Sequence, residues 1–190
     1  MPPFDEIRAE KLIELAHARW ALELSDAELK VLHESASSLD PEVPSPDGQR
    51  PLIRGEFVRW LATDADAAPH IDPKGLRIGG VALMGGLDLR DSHVAVPLLF
   101  YRCAINGDFD LQFAETKKLF LQKSWVNGAF RAGGVTVGGP LILTESTFRN
   151  GVWLQGARIK GELNCDKAII SVQEGDALSV EGRRSMATSF

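Results

Sequence analysis

Between Leu76 and Ile170 the chain repeats about every eleven residues, and no other property restricts its possible folds so tightly. Units begin at Leu76, Leu87, Leu98, Phe109, Leu119, Phe130, Leu141, Val152 and Leu163, every one apolar, and the only short step is the ten residues from Phe109 to Leu119. Two residues after each anchor lie Ile78, Leu89, Phe100, Leu111, Leu121, Ala132, Leu143, Leu154 and Cys165. Five after it come mostly small residues such as Cys103, Ala114, Ser124 and Ser146, and seven after it mostly bulky ones such as Leu83, Val94, Ile105 and Phe148. Glycine stands two residues before several anchors, as Gly85, Gly107, Gly128, Gly139 and Gly161.

Two apolar residues separated by one position have the alternation of a short strand with one buried face. Successive pairs begin five and then six residues apart, so the chain turns a corner between them, with glycine and polar residues supplying unusual backbone angles. Four sides use about 22 residues and close one coil; stacked coils pair strand on strand at about 4.8 Å into a parallel β-solenoid with a filled interior, roughly 20 Å tall.

A small residue, a spacer and a bulky apolar residue recur as Ser92-His93-Val94, Cys103-Ala104-Ile105, Ser146-Thr147-Phe148 and Ala157-Arg158-Ile159. This pattern resembles the pentapeptide-repeat proteins, and the resemblance implies a right-handed quadrilateral β-helix with the small and bulky residues inward. The other two sides depart from it by carrying two bulky residues, as in Leu87-Asp88-Leu89 and Leu141-Ile142-Leu143. Gly86-Leu87-Asp88-Leu89 followed by Pro97-Leu98, and Gly156-Ala157-Arg158-Ile159-Lys160-Gly161, are similar to a divergent, functionally uncharacterised pentapeptide-repeat-like group of bacterial proteins. The resemblance therefore implies a fold and names no activity. The left-handed hexapeptide helix of acyltransferases requires a period of six, which these ladders do not hold.

The expected organisation is an α-helical cap region over residues 1–71 and a β-helix over 72–190, regular from 76 to 170 and irregular at its C-terminal end. Phe4 to about Leu22 reads as an amphipathic helix using Ile7, Leu12, Leu15, Ala16 and Trp20. Ser25-Asp26-Ala27-Glu28 is a capping-box signature for a second helix that turns Leu29 and Leu32 inward. The proline-rich stretch 35–51 reads as a loop, and Leu52 to about Ala62 as a third helix. Asp72-Pro73-Lys74-Gly75 turns into the first rung. A cap is expected because the end rung of a solenoid presents unpaired strand edges. At the other end Ala177-Leu178-Ser179-Val180 begins another rung and Gly182-Arg183-Arg184-Ser185 fits no ladder. That end is covered by its tail, pairs with a second protomer, or continues in longer relatives.

Residues 1–76 carry 8 Lys/Arg against 15 Asp/Glu, whereas 77–190 carry 13 against 11, so the repeat half is slightly basic. The alternative function that the resemblance suggests, a DNA mimic binding a type II topoisomerase, needs a column lined with carboxylates, and this balance opposes it. Lys117, Lys118 and Lys123 cluster without forming a basic stripe, so nucleic acid is not the expected partner. The two cysteines sit at inward positions and read as reduced core fillers; with no long apolar run or signal peptide, cytoplasm is the expected compartment and no membrane partner is expected.

His17, His33, His70 and His93 show no metal-ligand spacing, and the paired glycines lack phosphate-loop spacing, so neither metal nor cofactor is expected. Asp91-Ser92-His93 is contiguous, but neighbours on a strand face opposite sides and cannot form a relay. No catalytic residue is therefore expected.

The outward positions carry the functional expectation. With two units per coil, one side presents Arg77, Leu99, Phe120, Ile142 and Asn164, and its neighbour Ala82, Ala104, Trp125, Thr147 and Ile169. The remaining two sides present Asp88, Asp110, Arg131 and Trp153, and His93, Glu115, Thr136 and Arg158. Half of the column is thus apolar outward. Leu99, Phe120, Ile142 and Trp125 are the candidate interface residues of a non-catalytic interaction or scaffold protein. The N-terminal helices, a second copy in a homodimer, or a partner protein are the alternatives for covering this stripe.

Overall fold

A computed structural model describes residues 3–20, 23–41, 49–172, 178–179 and 188–189. The chain forms a parallel β-solenoid of about four coils behind three N-terminal helices. Taken in chain order around one coil, face 1 stacks Leu76–Gly79, Leu98–Tyr101, Leu119–Gln122, Leu141–Ile142 and Leu163–Asn164. Face 2 stacks Ala82–Met84, Ala104–Asn106, Trp125–Val126, Thr147–Phe148 and Ile169–Ile170. Face 3 begins with Leu87–Asp88 and face 4 with His93–Val94. The face 1 anchors pair in register at intervals of 22, 21, 22 and 22 residues, the short coil absorbing the ten-residue step seen in the sequence.

The ladders point as their spacing predicts. Leu76, Leu98, Leu119, Leu141 and Leu163 are buried on face 1, Leu83, Ile105, Val126 and Phe148 on face 2, and Val94, Thr116, Val137 and Ile159 on face 4. Inside the column Phe100, Phe109, Phe130 and Phe148 form a chain of edge-to-face rings with centroids 5.6, 5.4 and 5.5 Å apart. The quadrupole of each ring favours that geometry over parallel stacking.

One corner per unit follows a rule that the glycine positions show only in part. The fourth residue after every anchor has a left-handed φ: Gly80, Gly134 and Gly156, and also Asp91, Arg102, Phe113, Lys123, Glu145 and Lys167 with φ of 52–58°. A left-handed third residue is what a type II turn requires, and the Ser92 N–H donates to the Leu89 carbonyl across such a turn. A different corner needs glycine for space, because a Cβ on Gly128 would lie 2.4 Å from the Gly107 carbonyl carbon of the coil above.

The corner between faces 1 and 2 holds a hydroxyl ladder. The Ser124 N–H donates to Ser146 Oγ at 3.1 Å, and the Cys103 N–H donates to Ser124 Oγ at 3.0 Å. Each hydroxyl in turn donates a hydrogen bond to a backbone carbonyl, Ser124 to Gln122 and Ser146 to Leu121. Two of the small inward residues, Ser124 and Ser146, thereby accept from buried backbone N–H groups of the corner.

The helices are α1 (Pro3–Trp20), α2 (Asp26–Ala36) and α3 (Gly55–Thr63). Ser25 and Glu28 form the expected capping box. Glu28 is buried and also receives Arg54, whose Nε and Nη2 donate at 2.8 and 2.9 Å to its two carboxylate oxygens. Arg54 in turn lies 5.3 Å over the ring of Trp20, which packs against Phe57 and Trp60.

Three expectations for this region are corrected. Leu52–Arg54 is a strand, not the first turn of a helix; it pairs with Ala82–Met84 and extends face 2 by one rung. The open edge of Ala82–Met84 needs backbone partners, and that demand outweighs the helical spacing of the segment. Ile7 is 63% exposed, because α1 buries Asp5, Ala9, Leu12 and Ala16 instead. Asp5 accepts from the Ser38 N–H, and the alanines let α2 approach closely. Arg77, expected on the outer stripe, is buried beneath residues 37–40, donating to Asp40 Oδ1 at 3.1 Å and to the carbonyls of Ser37 and Ser38.

At the far end Leu178–Ser179 pairs with Val152–Trp153 and Thr188–Ser189 with Leu163–Asn164. The Gly182-Arg183-Arg184-Ser185 stretch lies outside the described residues.

Candidate functional site: the apolar half of the column

On face 1 the outward side chains Leu99, Phe120 and Ile142 stand in consecutive register, Leu99 paired with Phe120 and Phe120 with Ile142. All three are partly exposed, and Asn164 ends the row beneath Ile142. The upper end is closed by Arg77 and the segment it anchors, so the cap overlies the first rung of the stripe and leaves the next three accessible. Between Asp40-Pro41 and the column runs a groove of about 320 Å³ lined by Arg77, Ile78, Leu99, Phe100, Tyr101 and Gln122.

Trp125 lies around the corner on face 2, between Ala104 and Thr147, and is 36% exposed. The guanidinium of Arg50 is 4.5 Å from its ring centroid, and Arg50 Nε donates at 3.1 Å to the Arg102 carbonyl. Arg102 lies 5.4 Å over the Tyr101 ring, and Lys123 Nζ lies 5.8 Å from the same ring. Further down face 2, Ile169 is 60% exposed. The structure therefore places all four candidate residues on two adjoining faces, three of them in one row. It also surrounds Trp125 with a cationic, aromatic corner that the repeat pattern does not reveal. A tryptophan among Ala104 and Thr147 in an outward ladder is the one sequence signal of that corner; Arg50 belongs to a segment outside the repeat.

The other half of the column differs. On face 3 Asp88 and Asp110 stack in register, a pairing of like charges that is unfavourable alone. Arg90 offsets it, 2.8 Å from Asp88 and 3.8 Å from Asp110, while Arg131 pairs with Asp108 and lies 4.0 Å from Asp110. The hydrogen bond from Arg90 holds the Asp88 carboxyl at about 2, well below the usual carboxylate range. On face 4 His93 Nδ1 is 3.4 Å from Glu115. Ser92 donates its hydroxyl to the Arg90 carbonyl, so Asp91, Ser92 and His93 each point to different partners or to solvent.

A recess of about 570 Å³ opens where α3 meets the corner at Gly85 and Gly86, lined in part by Arg54, Glu56, Arg59, Met84 and Asp88. Arg54 is held by Glu28 and Arg59 by Asp88, so the recess joins cap to column through charges that already have partners. Both cysteines are free and buried, and burial pushes the Cys103 thiol up to about 11 and raises that of Cys165. Among the described residues no group of three or more His, Cys, Asp or Glu is gathered in a metal-binding arrangement. Among them, too, no helix is long and apolar enough to cross a membrane.

What this arrangement offers chemically is a surface with a partly exposed apolar row, a shallow groove at its upper end and a cationic corner beside it. No family model, no curated protein and no solved structure matches the chain.

Proposed function

We propose that the chain is a non-catalytic interaction protein, a divergent member of the pentapeptide-repeat-like proteins that binds another protein through faces 1 and 2 of its column. One observation carries this reading. Within the same coils, faces 3 and 4 turn mainly polar side chains outward, several of them ion-paired, with Trp153 and the corner residue Phe113 as single apolar exceptions, while face 1 leaves Leu99, Phe120 and Ile142 partly exposed in one row. A contiguous outward apolar row on an otherwise solvated column is the usual mark of an interface. The occupant is a partner protein or a second copy of the chain. Two buried cysteines without a disulfide fit a reducing compartment such as the cytoplasm. Mimicry of DNA toward a type II topoisomerase is the weaker alternative, since Arg90 and Arg131 neutralise the stacked aspartates of face 3.

The test compares wild type with Leu99→Asp/Phe120→Asp in affinity capture from a bacterial lysate and in light scattering, with circular dichroism as the check on folding. A partner or a dimer retained by wild type and lost by the folded variant supports the reading. Identical behaviour of both as monomers without partners refutes it.

A further inference from the structure

Resting on that reading, we infer that the occupant of faces 1 and 2 is a short acidic segment of a partner protein, with apolar side chains between its carboxylates. Charge is distributed unequally around the column. On face 3 Arg90 and Arg131 each have two carboxylates within about 4 Å. At the corner beside the apolar row, Arg50, Arg102 and Lys123 converge, yet Glu145, 3.8 Å from Lys123, is the only carboxylate within 4 Å of any of them among the described residues. Arg102 and Lys123 are held there by left-handed backbone, with φ of 53° and 52°, and Arg50 by its bond to the Arg102 carbonyl.

Stacking on Trp125 and Tyr101 orients the two guanidiniums before any ligand arrives. A planar guanidinium so placed is suited to a carboxylate, which it binds through two parallel N–H groups. Apolar side chains of the same segment then meet Leu99, Phe120 and the groove below Pro41. Size favours a segment over a second copy. Four rungs at about 4.8 Å and two faces of roughly two residues each outline about 300 Å², well short of the roughly 800 Å² per partner that a stable protein pair buries.

The test is fluorescence anisotropy with labelled peptides in which Leu alternates with Glu, Lys or Gln, and with a labelled single-stranded oligothymidylate. The Leu/Glu peptide is expected to bind about tenfold tighter than the Leu/Lys peptide, and to weaken several-fold between about 0.05 and 0.3 M salt. Arg50→Gln/Arg102→Gln removes that preference while keeping affinity for Leu/Gln; if this pair fails to fold, Arg102→Gln/Lys123→Gln makes the same comparison. Equal affinity for all three peptides overturns the acidic assignment and leaves the docking surface standing. Preferential binding of the oligothymidylate overturns it in favour of a nucleic acid. If no probe binds wild type, the acidic segment is refuted, and if Leu99→Asp/Phe120→Asp also leaves partner capture and mass unchanged, the docking reading falls with it.

Discussion

Replacing Ser124 with Ala removes one oxygen and leaves the shape of the corner almost unchanged, which isolates the role of the hydroxyl ladder. Ser124 is 1% exposed, and its Oγ accepts the Cys103 N–H at 3.0 Å while donating to the Gln122 carbonyl at 2.9 Å. Without it a buried N–H has no acceptor, at a cost of about 1–3 kcal/mol. For a chain of this size each kcal/mol moves the melting temperature by roughly 2–4 °C, so the expected fall is roughly 2–12 °C. Ser146→Ala strips the acceptor from the Ser124 N–H and should cost a similar amount. Ser124→Cys should fall between wild type and Ala, since a thiol accepts weakly. Thr136→Ala, at a partly exposed outward position of face 4, serves as the control. Scanning calorimetry of the four variants reads these shifts. A Ser124→Ala melting temperature equal to that of Thr136→Ala would refute the claim that the inward serine hydroxyls act as stabilising hydrogen-bond acceptors.

Other consequences follow from single contacts. Gly55→Ala places a Cβ 1.8 Å from the Gly86 carbonyl oxygen, so α3 must shift from the column; urea titration should show a loss of about 1–3 kcal/mol or more. Gly85→Ala, with open space around it but φ of +78°, should cost only the backbone strain of about 1 kcal/mol. Lys167 is exposed and left-handed, so Lys167→Gly should be stabilising by up to about 1 kcal/mol while Lys167→Val destabilises; the opposite order would contradict the turn assignment. Because burial raises the Cys103 thiol to about 11 from an unfolded value of 9.0, its contribution to stability is intact below pH 9 and lost as pH rises toward 11. The slope is about 1.4 kcal/mol per pH unit, and its disappearance in Cys103→Ala is the check.

The sequence already contains the column, because a strand pair every five or six residues leaves few alternatives once the apolar ladders are aligned. Leu76, Leu98, Leu119, Leu141 and Leu163 pair as their spacing predicts, including across the short coil. Ser25 and Glu28 also act as their local pattern predicts, since a capping box involves residues close in the chain. What was not legible depends on contacts between distant segments. Leu52–Arg54 has helical spacing and is drawn into a strand by an edge thirty residues later. Arg77 reads as a charge at the head of an apolar row until residues 37–40 fold over it. The left-handed corners were half visible: Gly80, Gly134 and Gly156 announce them, but Arg102 and Phe113 adopt the same conformation with side chains that disfavour it. Arg50 could not be assigned to Trp125 from spacing at all, because nothing in the repeat registers a segment outside it.

On the proposed reading the apolar half of the column, and not the polar half, meets the partner. A photo-crosslinking amino acid placed at Phe120 on face 1, and separately at Thr136 on face 4, tests it by reporting which surface is occupied in a cell lysate. A discrete adduct, of partner or of doubled mass, is expected from position 120 and none from position 136. Adducts from position 136 alone, or the same diffuse labelling from both, would contradict it.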